Sequence, residues 1–337
     1  MRAGSRAGSR AGSRCPRALR RRWLSLSIAT LISTLCATWN AHADSSFWDE
    51  VRDERTRVRA AARRLVVRYA AEPELREVMA ACLTALPFAT AELKYLCGAR
   101  MGRGPGEQKQ RAFELLQQAL GEEPESSWAG KAWYELGVVE AELGKSEVVA
   151  EAFSQALAQL WQPAFRARAY YNRGLAYLTQ AELTDAASDF RRAILITSSG
   201  DVRRLAQFAL GVALERQGDL ASALSSFQDG LQSPAGTPLA ARQESLRLAT
   251  FALIPSYEQH YYAALAAMAA ADQLPRVEEK LRAYEQAIQE WNGYLDQGLT
   301  LAAAWLEHAE ANRARCIAKR NELLREKSRS LRLGGTF

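Results

Sequence analysis

The 337-residue sequence carries 44 basic and 38 acidic side chains and a net charge of +6, which by itself would suggest an anionic partner. However, residues 1–43 contain eight arginines and no acidic residue, so residues 44–337 carry 36 basic and 38 acidic side chains. The positive excess belongs to the N-terminal segment. The rest of the chain therefore gives no reason to expect nucleic-acid binding.

The first 43 residues have the composition of a secretory signal. An arginine-rich region ending at Arg22 is followed by a short apolar stretch, Trp23–Ala37, and by the small-residue site Ala41-His42-Ala43. The apolar stretch is shorter than the roughly 20 residues of a membrane span. We expect cleavage between Ala43 and Asp44, by general secretion or, alternatively, by twin-arginine export. The sequence thus predicts an exported protein, with the periplasm as the favoured location and secretion or membrane tethering as the alternatives.

Residues 44–337 contain three cysteines, Cys82, Cys97 and Cys316. An odd and small number does not indicate a disulfide framework. Cys82 and Cys97 could pair in an oxidising compartment if their helices are neighbours. The interpretation we favour at this point is that they are small buried residues without a bond between them.

Helices are predicted before the repeated part of the chain. The capping-box pattern Ser46–Asp49 leads into a charged helix that extends to about Tyr69. Further along, Gly98 and the pattern from Ala112 to Pro124 indicate one imperfect repeat unit, with the glycine-rich segment Met101–Gly106 as its turn. Residues 44–124 therefore form an N-terminal helical region.

Residues 125–237 repeat themselves with a period of 37 residues. Similar residues coincide in three units: Gly137, Gly174 and Gly211; Ala132, Ala169 and Ala206; Phe153, Phe190 and Phe227; Tyr134, Tyr171 and Phe208; Leu157, Ile194 and Leu231; Gly144, Ala181 and Gly218. Self-similarity at a fixed period is typical of solenoids.

Each unit has the pattern of two helices. In the first unit, Trp133, Leu136 and Val139 recur at helical spacing, Gly144 ends the helix, and a second apolar stripe runs up to Leu160. A glycine inside a helix costs about 1 kcal/mol relative to alanine. We therefore expect a neighbouring helix to approach closely at Gly137 and its equivalents.

The C-terminal region, residues 238–330, also has a helical pattern. We predict a helical pair at 238–253 and 256–273, a helix from Pro275 to about Gln297, a long last helix from Leu299 to about Arg329, and a flexible tail at 331–337. No stretch shows sustained alternation of apolar and polar residues. The predicted fold class is all-α, without a sheet.

The three units resemble tetratricopeptide repeats. The matching residues are Trp133, Leu136, Gly137, Phe153 and Ala156; Tyr170, Gly174, Tyr177, Ala186, Phe190 and Ala193; Leu210, Gly211, Ala223 and Phe227. The resemblance implies a right-handed helix-turn-helix solenoid. The chain departs from the family in its period, which is usually 34 residues, and at Val149, Arg173 and Gly230, where other residues are usual.

The first helices of such a solenoid line its concave side. Aromatic, aliphatic, polar and cationic residues share that face, and we predict them as a partner-binding groove: Lys131, Tyr134, Val138, Arg168, Tyr171, Asn172, Leu175, Phe208 and Val212. The resemblance implies that Asn172 contacts a peptide backbone. The aromatic residues would instead be core if the chain's own C-terminal helix filled the groove.

A second candidate surface is the last helix, where cations are concentrated: Arg313, Arg315, Lys319, Arg320, Arg325, Lys327, Arg329 and Arg332. Such a helix could contact an acidic partner or an anionic membrane surface. The interpretation we favour is that most of these cations are solvated near a helix C-terminus.

No catalytic, cofactor or metal site is predicted. The two histidines of residues 44–337, His260 and His308, do not lie at metal-ligand spacing, and the chain contains no phosphate loop or nucleophile elbow.

The sequence leaves two main hypotheses. The first is an exported adaptor that binds a peptide or protein through its concave surface, in the assembly of an envelope complex. The second is a structural subunit of an envelope assembly whose groove is filled by its own chain. An enzyme, as a third alternative, would need a cluster of perturbed polar residues in a pocket. The sequence predicts neither the identity of the partner nor the oligomeric state.

Overall fold

The computed structural model describes residues 52–53, 55–61, 63, 76–232, 248–301 and 303–332. Backbone contacts divide the chain into two units, residues 1–54 and 55–337. Of the first unit only Arg52 and Asp53 are described, and both are helical. The predicted cleavage site at Ala43 and Asp44 lies outside the described residues.

The described part of the second unit consists of helices joined by short loops and contains no strand, which confirms the all-α prediction. Its helices are α1 (Arg76–Ala85), α2 (Ala91–Met101), α3 (Gly106–Glu122), α4 (Ala129–Glu142), α5 (Ser146–Gln159), α6 (Pro163–Thr179), α7 (Leu183–Ile196), α8 (Gly200–Arg216), α9 (Leu220–Gln232), α10 (Thr250–Leu253), α11 (Glu258–Gln273), α12 (Val277–Leu301) and α13 (Leu306–Arg332). A short 3₁₀ helix, Leu86–Phe88, joins α1 to α2.

The helices pack as consecutive pairs. The pairs are α2–α3, α4–α5, α6–α7, α8–α9 and α11–α12, and the second helix of each pair packs against the first helix of the next. Helix α13 then packs along α12. Because each pair contacts mainly its neighbours, the second unit is a helical-repeat solenoid.

The glycines of the repeat lie where the two helices of a pair meet. A Cβ atom at Gly137, Gly174 or Gly211 would lie 3.0, 2.7 or 2.5 Å from the ring of Phe153, Phe190 or Phe227, respectively. All three phenylalanine rings are fully buried or nearly so. The expected close approach is therefore confirmed, and its cause is the phenylalanine of the second helix, which occupies the space of the missing side chain.

The turns between the paired helices share one backbone conformation. Gly144, Ala181 and Gly218 have φ angles of +74°, +60° and +89°. This left-handed conformation ends a helix readily when the residue is glycine. Ala181 adopts it at a cost, because its Cβ atom approaches the following carbonyl oxygen.

Two departures from the family pattern have a structural reason. The Arg173 guanidinium makes two hydrogen bonds to the carboxylate of Asp189, of 2.6 and 2.9 Å, and one to Ser154 of 3.0 Å. Gly230 is required because a Cβ atom there would lie 2.5 Å from the ring of Phe208. The unusual residues are therefore matched to their partners on the facing helix.

The expectation that Cys82 and Cys97 are unpaired is wrong. Their Cα atoms lie 5.8 Å apart and the two residues form a disulfide between α1 and α2, while Cys316 is buried and free. The bonded cysteines are also fully buried, in a core cluster with Met101 and Leu116. The sequence could not decide the pairing because it depends on how α1 folds back on α2.

The C-terminal helices differ in their bounds from the prediction. Helix α12 continues to Leu301, so α13 begins at Leu306 instead of Leu299. Residues 238–247 of the predicted helix 238–253 lie outside the described residues, and among residues 248–253 the helix is Thr250–Leu253. The core between α11 and α12 contains the rings of Tyr261 and Trp291, 4.8 Å apart at their centroids.

Candidate functional site

The predicted groove aromatics pack inside their own helix pairs. Tyr134 lies 5.8 Å from Phe153 and Tyr171 lies 6.0 Å from Phe190, measured between ring centroids. Phe208 stacks on Phe227 at 5.2 Å. Tyr134 and Tyr171 are each 1% exposed. The aromatic column found in the sequence therefore lies between the first and second helices of each pair.

Residues 248–253, which we call the groove segment, cover the same face. Their one-turn helix α10 packs against α4 and α6. The segment contributes Leu248, Ala249 and Leu253 to the core, at 7%, 1% and 6% exposure. Its position means that this face of α4 and α6 is covered by the chain itself.

Two polar contacts fix the groove segment. The side-chain carbonyl of Asn172 accepts a hydrogen bond from the backbone N–H of Ala249 at 3.0 Å. The hydroxyl groups of Tyr171 and Thr250 lie 3.0 Å apart and share a hydrogen bond. A third hydrogen bond holds Asn172 itself, because its amide nitrogen donates to the hydroxyl of Tyr134 at 3.2 Å. Asn172 thus contacts a peptide backbone, as the resemblance implies, and that backbone belongs to this chain.

The nine predicted groove residues differ in their burial. Six are buried: Tyr134, Val138, Tyr171, Asn172, Leu175 and Val212. The other three, Lys131, Arg168 and Phe208, are partly buried. Lys131 and Arg168 both lie over the ring of Phe165, at 5.2 and 5.4 Å from its centroid. In this structure the set belongs to the interior and its edge, and its role in partner binding stays a prediction.

A buried polar cluster at the end of α8 was not predicted. The carboxylate of Glu215, 3% exposed, accepts hydrogen bonds from Asn312 Nδ2 at 2.7 Å and from the hydroxyl of Tyr261, and it lies 3.2 Å from His308 Nδ1. Burial raises the pKa of Tyr261, with a further contribution from Glu215, so the hydroxyl remains a donor at neutral pH. The cluster ties α8 to α11 and α13.

The next residue forms a second buried contact. Arg216 donates to a carboxylate oxygen of Glu258 at 2.5 Å. Its guanidinium carbon lies 4.9 Å from the ring centroids of both Tyr261 and Trp305. In the sequence, Glu215 and Arg216 follow the apolar run of α8. Two charged residues at such a position indicate partners from elsewhere in the fold, because a buried charge is unfavourable unless it is paired.

The basic last helix is partly paired. Arg313 donates to Asn292 at 3.0 Å, Lys319 to Glu322 at 3.2 Å, and Lys327 forms an ion pair with Glu278 at 3.0 Å. A cleft of about 900 Å³ lies between this helix and α9, α11 and α12. Its walls carry cations and carboxylates of α13 together, so the cleft has no strong preference for one sign of charge.

Among the described residues no helix is long and apolar enough to cross a membrane. The same part of the chain holds no group of three or more His, Cys, Asp or Glu residues suited to a metal ion.

Stacked helix pairs define a helical-repeat protein, a class that serves as protein–protein interaction scaffolds. Residues 167–199, which include most of α6 and all of α7, match the family model of the tetratricopeptide repeat. This segment of the chain is therefore a tetratricopeptide repeat. A comparison of the sequence with curated proteins found no match.

Proposed function

We propose that the protein is an exported scaffold that serves as a structural subunit of an envelope assembly, with its concave groove filled by its own chain. The observation that carries this proposal is the pair of contacts from Asn172 to Ala249 and from Tyr171 to Thr250. A free peptide would need the same buried groups. The partner is a protein, and the contacts with it lie on surfaces other than the floor of the groove.

Export is supported by two features. Residues 1–43 have the order of regions of a secretory signal. The bond between Cys82 and Cys97 is of a kind that persists mainly in oxidising compartments. Both features favour a periplasmic location over the cytoplasm.

Two large apolar side chains offer a candidate contact surface. Trp161, two residues after the end of α5, is 79% exposed, and Leu195, in the last turn of α7, is 81% exposed. Large apolar side chains that stay exposed, tryptophan above all, are enriched where proteins meet partners. Trp161 lies in the loop between α5 and α6, and Leu195 lies near the end of α7, the second helix of the next pair.

We propose that the scaffold acts without catalysis. Its buried polar groups join helices to one another, as Glu215 joins α8 to α11 and α13. The hydrogen bonds of these groups therefore stabilise the packing of the helices.

The partner surface can be tested by co-purification from the envelope fraction of the source cell. The double variant Trp161→Ser with Leu195→Ser changes exposed residues and should keep the fold while losing the partner. The matched variant Lys131→Ala with Arg168→Ala changes the cations beside the groove and should retain it. The reverse pattern would favour the concave adaptor, in which a partner peptide displaces the groove segment.

Export is tested separately. The full-length chain is expressed in the source cell, and the protein of the periplasmic fraction is subjected to N-terminal sequencing and non-reducing peptide mapping. We expect the chain to begin at Asp44 and Cys82 to be linked to Cys97. Recovery from the cytoplasm with residues 1–43 intact and both thiols free would contradict export.

A further inference from the structure

The two edges of the repeat around α5 and α7 carry opposite charges. Residues 143–151 and 180–185, at the turns within the pairs, form what we call the turn edge; residues 160–168 and 191–204, at the loops between the pairs, form the loop edge. The turn edge has four carboxylates and one lysine, whereas the loop edge has six arginines and one aspartate. Because α5 and α7 each run from the turn edge to the loop edge over 14 residues, about 20 Å separates the two edges.

The loop edge forms one continuous basic and apolar surface. Arg166 donates to the backbone carbonyl of the residue before Trp161 at 2.9 Å and to the hydroxyl of Tyr170 at 3.2 Å. The guanidinium carbon of Arg192, in α7, lies 5.5 Å from the centroid of the same tyrosine ring. Leu195 follows Arg192 by one helical turn. The two most exposed large apolar side chains of the described residues, Trp161 and Leu195, therefore flank these arginines.

The positive charge of the loop edge exceeds what its own carboxylates can neutralise. Arg191, Arg192 and Arg203 are exposed, and none of them forms an ion pair within the described part of the chain. By contrast, Arg173 of α6 lies deeper and is paired with Asp189 at 2.6 Å. The loop edge is therefore suited to a partner that supplies carboxylates.

The carboxylates of the turn edge are exposed and lie close together. The side-chain amide of Gln180 donates to the backbone carbonyl of Ser146 at 3.2 Å, which joins the two turns. Glu147 and Glu182, one and two residues further along, are both exposed. Neither has an ion-pair partner among the residues that the structure describes. Val148, which is also exposed, adds an apolar side chain beside them.

We propose that the loop edge of one molecule binds the turn edge of a second copy of this chain. Exposed arginines then meet exposed carboxylates, and Trp161 packs against Val148 of the second copy. Because the two edges differ, the contact is heterologous, and each end of the resulting pair keeps one free edge with which the assembly can extend. The inference rests on the proposed function, since it names the occupant of the surface at Trp161 and Leu195.

A second copy accounts for both edges at once. An anionic membrane would match the arginines of the loop edge and would leave the exposed carboxylates of the turn edge unexplained. Exposed ion pairs each contribute little, so the charges determine which edges meet and the burial of Trp161 supplies most of the stability of the contact.

Sedimentation velocity of the purified full-length chain, over a range of concentrations, measures the association. We expect species larger than one chain to form as the concentration rises. Raising sodium chloride from about 50 to about 500 mM should weaken the association at least about tenfold, because salt screens exposed charges. Trp161→Ser should weaken it at least about tenfold as well, because a tryptophan buried at a contact carries much of its affinity.

Charge reversal tests which edges meet. The double variants Arg191→Glu with Arg192→Glu and Glu147→Arg with Glu182→Arg each place like charges across the contact, so each should weaken self-association at least about tenfold. An equimolar mixture of the two variants should associate again, because each edge of one variant is then complementary to an edge of the other.

The matched control changes the same kind and number of charges elsewhere. Arg325 and Arg329 are exposed in α13, away from both edges. Arg325→Glu with Arg329→Glu should therefore leave the self-association unchanged. Circular dichroism confirms that each variant keeps its helices.

Four results would overturn the inference. Self-association that survives Arg191→Glu with Arg192→Glu would assign it to other cations, such as those of residues 1–43 or of α13. Lower melting temperatures of the charge variants with unchanged self-association would show that the charges stabilise only the ends of their own helices. A monomeric chain that sediments with phosphatidylglycerol vesicles through Trp161 would assign the loop edge to a membrane surface.

The fourth result separates this inference from the proposed function. If the native chain stays monomeric at every concentration while an envelope protein still co-purifies through Trp161 and Leu195, another protein occupies the loop edge. The inference then fails and the proposed function stands. If the co-purified partner instead depends on Lys131 and Arg168 while the mixture of charge variants associates as described, the proposed partner surface fails and the contact between copies stands.

Discussion

Asn172 and Ala249 are joined by a hydrogen bond between side chain and backbone although 77 positions separate them in the chain. Asn172 is fully buried and Ala249 is 1% exposed. The bond holds residues 248–253 against α4 and α6, against which the one-turn helix α10 packs. The contact supports the proposed structural role over the adaptor, because it places the chain's own backbone on the face that was predicted to bind a partner peptide.

The contact between glycine and phenylalanine inside each pair predicts that Gly174→Ala destabilises the fold. The new Cβ atom would lie 2.7 Å from Phe190 Cε1, and the helices would have to separate. Overpacking of this kind costs typically 1–3 kcal/mol, which exceeds the gain of about 1 kcal/mol in helix propensity. Chemical denaturation of the variant and of the native protein measures the difference.

Gly121→Ala is the matched control for this prediction. Gly121 lies in α3, and a Cβ atom there would meet nothing within 4 Å. Only the propensity term remains, so the variant should be more stable by up to about 1 kcal/mol. If both glycine substitutions stabilised the protein, the close approach of Phe190 would be refuted.

The left-handed turn residues predict a stabilising substitution. Ala181 has a φ of +60° and is exposed, so Ala181→Gly relieves backbone strain without loss of packing. The strain of about 1–2 kcal/mol is partly offset by the larger conformational entropy of glycine in the unfolded chain. We expect a net gain of about 0.5–1 kcal/mol by thermal or chemical unfolding. Gly144→Ala, at the equivalent turn, should lower the free energy of unfolding by about 1 kcal/mol. Equal effects of the two substitutions would contradict the left-handed conformation assigned to both turns.

The buried carboxyl of Glu140 should make the free energy of unfolding depend on pH. Burial raises the pKa of its carboxyl from 4.5 to about 7, against the opposing charge of Lys145. One carboxyl oxygen has no hydrogen-bond partner among the described residues. The folded state therefore binds the proton more tightly than the unfolded state. The resulting stability is fully present below about pH 4.5 and is lost as the pH rises through 7.

Glu140→Gln removes this titration. The free energy of unfolding of the variant relative to the native protein should increase between about pH 4.5 and 7 and then level off. Glu310→Gln, at an exposed position of α13, is the control and should show no such rise. A constant difference between native protein and Glu140→Gln from pH 4 to pH 8 would show that Glu140 is not buried as described.

The repeat was predictable because its determinants recur. Gly174 and Phe190 are 16 residues apart, and the same pair appears at the same spacing in the units before and after, so their contact was implied by register alone. The left-handed turn at Gly144 was predictable for the same reason. Local periodicity thus specified the helix pairs, their order and their close contacts.

The occupied groove was not predictable to the same extent. An aromatic side chain such as Tyr171 is compatible with a partner-binding site and with a core. Its exposure depends on the groove segment, which lies about 77 residues further along the chain. The groove segment has no repeat partner elsewhere in the chain, so no register places it. The cluster around Glu215 was not predictable for the same reason. Its partners Tyr261, His308 and Asn312 come from helices whose packing no periodic pattern specifies.

The measurement that tests the occupied groove most directly is hydrogen exchange at the backbone amides of residues 248–253. In the native protein we expect the Ala249 amide to be protected, because it donates to Asn172 within the core. In Asn172→Ala the groove segment should exchange roughly five- to hundredfold faster, since the amide loses its acceptor, while the amides of α12 remain as in the native protein. Exchange of residues 248–253 in the native protein at the rate of an unstructured peptide would contradict the account, because the groove would then be open to a partner.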